Sequence, residues 1–368
     1  MKAFFCKKQW FLWFSALGLP CAGIGLFYLL RSHRSLMNAW VTHIMAPWEQ
    51  FWGRIWSLFP FSVGESVVAL LIAAVVIWTV RALVLLIRQH RGREFFRRMG
   101  AVASILLWAW CLLCWLWNVS YYADSFAEKS GLVSYGHTPE ALFYTTVWFA
   151  QNAAQLSDQI PRDENGHFAL SPEECFERGT AIYDNLTAEF PFLDIPGVRA
   201  KPLLFSRLQS ILGFTGVYLP FTGEANVNID APACLIPATI GHEMSHQGMV
   251  AAEQEANFVG IAACLSCDDV VFQYSGYLHG LVHLSNALYQ LDPSLWTVIT
   301  ENFFTPELST DWNDNYFYWK ELESPTEERA EQTYDAFLKG NGQSLGIASY
   351  GACVDLLITY YYPKLMSS

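Results

Sequence analysis

The sequence has 368 residues, enough for two parts; 53% are hydrophobic, 15 are Trp and only 15% are charged. That balance points to a chain lying partly in lipid. Residues 1–117 hold 12 Lys/Arg against 3 Asp/Glu, a net of +9, whereas residues 118–368 hold 10 against 31, a net of −21. So acidic a second part is a poor partner for phosphate backbones, which excludes nucleic acid.

The first apolar segment, residues 11–30, carries no charge and is flanked by Lys7, Lys8, Arg31 and Arg34. Its 20 residues are enough helix to cross about 30 Å of hydrocarbon. It is long for a signal peptide and lacks a well-placed small-x-small site, so it reads as a retained span. Pro20 before Cys21 argues against a lipoprotein site. Residues 39–61 are rich in Trp and Phe and read as interfacial. A second span is expected at 66–87, with Arg81 near its end able to reach the headgroups, and a third at 99–119. Between them stand Arg88, Arg91, Arg93, Arg97 and Arg98, a cluster that belongs on the cytoplasmic side. Lys2, Lys7 and Lys8 agree with a cytoplasmic N-terminus, whereas Arg31, Arg34 and Arg54 land outside against the rule. The division expected is a membrane domain, 1–119, with three transmembrane helices, and an extracytoplasmic domain, 120–368.

In the acidic part the pattern predicts a helix over 140–157 and another after Ser171, an N-cap before Pro172. Residues 195–206 read as loop and extended chain, and 213–230 as one or two short strands. Helices are expected at 236–252, 253–265, 269–290, 323–338 and 347–361. The fold class is therefore mostly α-helical (α+β) with a small β element. The nine Cys cannot all pair within one chain. Cys264 and Cys267 form C-x-x-C, but in an apolar helix they read as packed small hydrophobes rather than a redox or metal pair.

The chemistry centres on His242-Glu243-Met244-Ser245-His246, an H-E-x-x-H motif. On a helix, positions i and i+4 share one face, so two imidazoles can bind one Zn²⁺, with Glu243 beside the metal's water as general base. The strand-like segment just before it could pair with an extended peptide substrate. A third ligand is needed. Glu253-Gln254-Glu255-Ala256-Asn257 resembles the E-x-x-A-D signature of gluzincin peptidases, in which a second helix supplies a Glu ligand and an Asp that holds a ligand His. The resemblance implies Glu253 as ligand and Asn257 in the supporting place, where Asn is a departure and lacks the charge. Glu255 is the competing ligand. His279 and His283 also stand at i, i+4, without an adjacent carboxylate; they read as packing rather than a second metal site, and either can face the cleft.

The chain as a whole resembles the bacterial membrane family known as domain of unknown function 3810. The pieces that carry the resemblance are LFPFSVGES, PFTGEANVN, GHEMSHQ, EQEANF and YDAFLKGNGQSLGIASYG, spread over most of the chain. The resemblance implies a gluzincin-like membrane peptidase architecture and no particular substrate. Tyr350 is a candidate donor to the developing oxyanion, its alternative being packing in the last helix. The leading expectation is a zinc metalloendopeptidase acting on peptide segments of envelope or secreted proteins at the bilayer. The alternatives are a zinc-dependent membrane sensor of peptide or cell-wall material, and a structural membrane protein with a degenerate site.

Overall fold

The computed structural model describes residues 14–133, 136–193, 195, 197–343 and 350–367, the side chains of 350–352 excepted. Two helices, α4 (Val63–Gln89, 27 residues) and α5 (Gly92–Leu116, 25 residues), are long and apolar enough to cross a membrane. They form a hairpin closed at His90, whose φ of 52° ends α4 in the left-handed conformation. Much of their apolar surface is bare, Leu70 of α4 being 70% exposed. In water that surface would be costly, at roughly 25 cal/mol per Å². Helix α5 starts earlier than its apolar run, so Arg93, Arg97 and Arg98 stand in its first turns rather than in a loop.

Before the hairpin come a π-helical turn (Phe14–Gly18), α1 (Leu19–Leu30), α2 (Arg34–Trp40), a second π turn (Val41–Met45) and α3 (Ala46–Trp56). The apolar stretch Phe14–Leu30 is shorter than the other two, and residues 11–13 of the expected first span lie outside the described residues. It packs on α5, where Trp115 Nε1 donates to Gly23 O. Gly23 permits the approach, since a β carbon there would lie 2.6 Å from Cys111 Sγ. Arg31 and Arg34 make contacts with the acidic part: Arg31 donates to Tyr122 OH, and Arg34 pairs with Asp124 and Glu128.

The second part contains α6 (Phe126–Ser130), α7 (Pro139–Leu156), α8 (Pro172–Arg178), α9 (Asp184–Glu189) and α10 (Ser206–Ile211). After the strands follow α11 (Ile236–Gln247), α12 (Glu253–Ser266), α13 (Val270–Leu291), α14 (Pro293–Phe303), α15 (Pro306–Leu322), α16 (Pro325–Gly340) and α17 (Tyr350–Met366). Helices α14 and α15 are additions to the sequence reading. Each starts with Pro behind a capping side chain, Asp292 and Thr305, and the interior of α15 is too polar and aromatic to show a clear apolar stripe. Helix α11 stops at Gln247, short of the expected 252, because Met249 turns the chain at φ 63°.

The small sheet has the order β1-β3-β2, with β1 (Lys201–Pro202) parallel and β2 (Gly216–Leu219) antiparallel to the central β3 (Glu224–Val227). The core is built by α11, α12 and α13, with α7 and α17 packed outside them. Glycines set the closest approaches: a β carbon on Gly260 would lie 2.6 Å from His242 N, and one on Gly280 2.2 Å from the Phe149 ring. Cys264 and Cys267 are buried and unpaired here, as packed small side chains.

The two parts are joined by polar contacts at the start of α4. Glu224 of β3 accepts hydrogen bonds from Val63 N and Gly64 N, satisfying donors that a helix start leaves free. Lys201 of β1 pairs with Glu224 at 2.6 Å, both side chains being almost fully buried, and its ammonium also donates to Trp56 O. Glu65 accepts from Leu204 N and Phe205 N.

Candidate metal centre

Helix α11 carries His242 and His246 one turn apart, their rings 5.0 Å between centroids. Helix α12 crosses it at Gly241 and Gly260, where backbone meets backbone. That crossing brings Glu253, at the start of α12, over the two imidazoles. Glu253 Oε2 lies 3.3 Å from His242 Nε2 and 4.0 Å from His246 Nε2, and the three ligand atoms all fall within 4.8 Å of one another. Ligands on a tetrahedral zinc at about 2.0–2.1 Å are roughly 3.3 Å apart, so small side-chain adjustments would close the set on one ion.

The outer nitrogens of both rings are already engaged. His242 Nδ1 is 2.8 Å from Asn257 Oδ1, and His246 Nδ1 is 2.6 Å from Val250 O. Both acceptors are oxygens that cannot donate, so each Nδ1 carries a proton and each Nε2 is the nitrogen turned toward Glu253. Tyr334, on α16, donates to Glu253 Oε1 and leaves Oε2 to face the imidazoles. The competing carboxylate is turned away: Glu255 accepts from Phe126 N and Ala127 N at the start of α6.

The charges of these side chains act strongly on one another. Burial opposes a charge on His242, but the hydrogen bond to Glu253 and the charges of Glu243 and Glu253 outweigh it and raise the imidazole to about 9. Burial also opposes a charge on Glu253, yet the hydrogen bond from His242 and the charges of His246 and His242 hold it down at about 2. Burial, opposed by the charge of Glu253 and aided by that of His242, takes His246 down to about 4. The proton on His242 therefore stands between the histidine pair and the carboxylate, where a divalent ion would take its place.

Glu243 faces the same space. Burial, opposed by His242 and aided by Glu253, raises it to about 8, and its buried Oε2 has no hydrogen-bond partner. A buried carboxyl oxygen without a partner is costly and marks a place for a bound group. Glu243 is pressed against β2 at Gly216, where a β carbon would fall 2.3 Å from its Oε1.

These residues line a cleft of about 670 Å³. One wall is β2, an edge strand on the side away from β3. A second wall is the end of α5 and the turn that follows it, with Leu113, Trp117 and Tyr121; the Trp117 ring stands edge-on to His246 at 5.4 Å. The third is α16, with Glu331, Tyr334 and Phe337. His279 and His283 face the cleft floor with Nε2 atoms 3.3 Å apart. Burial pushes both down, His283 to about 4, which makes them neutral imidazoles at pH 7. Among the described residues they join no group of three metal-ligand side chains.

The structure thus brings together His242, Glu243, His246, Glu253 and Asn257. The expected Tyr350 begins α17, but its side chain lies outside the described residues. Sequence reading missed Tyr334, Trp117 and Gly216. The one local signal for Tyr334 is the spacing Glu327, Glu331, Tyr334, Leu338, a helix face that turns out to line the cleft. Comparison with curated proteins and with solved structures found no match. Residues 40–358, most of the sequence, match the family model described as "Protein of unknown function (DUF3810)", and the chain belongs to that family.

Proposed function

We propose that the protein is a membrane-anchored zinc metallopeptidase of gluzincin type, hydrolysing peptide bonds of envelope or secreted proteins. The observation that carries this reading is the convergence of two Nε2 atoms and one carboxylate oxygen beside a buried, unpartnered Glu243. His242, His246 and Glu253 hold the metal, with Asn257, Val250 O and Tyr334 fixing their orientation. Bound there, zinc supplies Lewis acidity, polarising a peptide carbonyl and making water nucleophilic near neutral pH. Glu243 takes the proton of the attacking water and passes it to the leaving amine. The free edge of β2 offers backbone hydrogen bonds to an extended substrate, laying its peptide bonds across the site.

In this reading α4 and α5 span the bilayer, and the segment that ends in α1 makes a third crossing. The arginines around the α4–α5 turn stay in the cytoplasm, as does the N-terminus, and the catalytic domain faces outward. Contacts of Arg31 and Arg34 with the acidic domain support this orientation, because they explain why these cations lie outside.

The test is metal content and proteolysis on the full chain in detergent or nanodiscs. About one zinc per chain is expected, lost in His246→Ala and in Glu253→Ala. Glu243→Gln should keep the zinc while turnover of a peptide library falls on the order of 10²–10⁴-fold. Absence of zinc from folded wild type would remove the peptidase reading. Zinc present, with no proteolysis in either wild type or variant, would favour a sensor.

A further inference from the structure

Helix α10 is inside out for a helix that meets water. Its serines point inward: Ser206 and Ser210 are 7% and 0% exposed. Ser206 Oγ accepts from Ile229 N and donates to Leu203 O, and Ser210 Oγ accepts from Asn228 Nδ2 and Tyr318 OH. The apolar side chains at its start point outward, Leu204 and Phe205 just before the helix being 56% and 50% exposed and Leu208 within it 51%. A surface helix in water has the opposite arrangement, and a contiguous bare apolar face marks a partner.

Position identifies that partner. The backbone N–H groups of Leu204 and Phe205 are held by Glu65, in the first turn of α4. Lys201 ties the same region to Trp56 O and Phe61 O. Leu58, Phe59 and Phe61, just ahead of α4, are exposed as well. The apolar face of α10 thus continues the exposed apolar surface of a helix suited to lipid, at the level where that helix begins.

We propose that residues 204–211 lie in the surface of the lipid bilayer, as a re-entrant contact made by the extracytoplasmic domain. This rests on the reading of α4 and α5 as membrane spans. Gln209, Leu212, Gly213 and Phe214 line the cleft, so the helix resting on lipid also forms the cleft rim. The mouth of the site then opens at the headgroups.

The full chain with Cys6→Ser and Cys21→Ser, which removes the exposed Cys21 thiol, is reconstituted in phosphatidylcholine–phosphatidylglycerol nanodiscs. A bimane label is placed by Leu204→Cys, Leu208→Cys, Arg207→Cys or, on α4, Leu70→Cys. Nitroxide-bearing lipid and aqueous iodide are compared as quenchers. Labels at 204 and 208 should be quenched several-fold more by the lipid nitroxide than the label at 207, with the iodide order reversed. Iodide access at 208 equal to that at 207, with Leu70 still quenched by lipid, would overturn the proposal and leave the spans standing. Protection from both quenchers at 208 would mean a protein partner or a second copy covers the face, which also overturns it. A label at 70 that escapes lipid quenching would bring down the span reading, and the proposal with it.

Discussion

The two oxygens of the Glu253 carboxylate have separate partners, Oε1 taking the Tyr334 hydroxyl and Oε2 facing His242 and His246. Removing the hydroxyl frees the carboxylate to rotate without touching either imidazole. Tyr334→Phe should weaken zinc binding by about 10–100-fold, read by competition with a chelating dye. Unchanged affinity would show that Tyr334 only packs. Gly216 acts on the base instead. One of its two α hydrogens occupies the place where the methyl group of an alanine would meet Glu243 Oε1 at 2.3 Å. Gly216→Ala should therefore lower turnover strongly while zinc content stays near one per chain; loss of zinc would place the damage in the ligand set instead. At this scale the sequence was informative wherever helical spacing does the assembly. His242, Glu243 and His246 share one turn of α11, and Glu253 and Asn257 one turn of α12, so their faces follow from periodicity. Tyr334, Trp117 and Gly216 reach the same cleft from elements far along the chain. No spacing rule announces such a meeting.

Among the elements, α3 has a double aspect. Trp48 and Phe51 are exposed, as expected for an interfacial helix, but Glu49 is buried against β2, where Tyr218 OH donates to its Oε2. Burial pushes this carboxyl well above its ordinary 4.5, despite the hydrogen bond from Tyr218. The folded chain therefore keeps a proton that the unfolded chain has released. The associated stability is fully present below about pH 4.5 and is lost as pH rises toward the folded value. Glu49→Gln removes this titration, so wild type should lose melting temperature more steeply than the variant between about pH 5 and pH 8. Parallel melting curves in detergent would refute a neutral Glu49. The long apolar helices and the short β element were readable from pattern. The end of α11 was not, because it depends on a left-handed Met249, a conformation that residue type does not advertise. The start of α5 was missed for another reason: its first turns are charged, and the span expected from 99 counted only the apolar run, although arginine is a good helix former.

For the molecule as a whole, the division near residue 119 is a change of composition more than a break in structure. Trp117 packs on His246, Glu49 on Tyr218, and Glu224 caps α4 from inside the acidic part. Charge counting pointed to two parts, and it could not show that their joint supplies a wall of the cleft. In the proposed orientation the joint also accounts for Arg31 and Arg34, since the charge rule counts cations without regard to a folded domain that contacts them. The cap on α4 has a further consequence. Strand β3 holds Glu224 at the start of α4 and lies between β1 and β2, so the edge strand, the two histidines and the start of α4 form one connected frame. In the proposed peptidase this frame works as a ruler: the cut falls at a set height above the lipid, whatever the local sequence. A membrane-tethered substrate lengthened by a few spacer residues, each adding about 3.3 Å when extended, should be cut at an unchanged count from its anchor, through a new peptide bond. Cleavage that instead follows the original bond outward would mean that side chains, and not height, select the site.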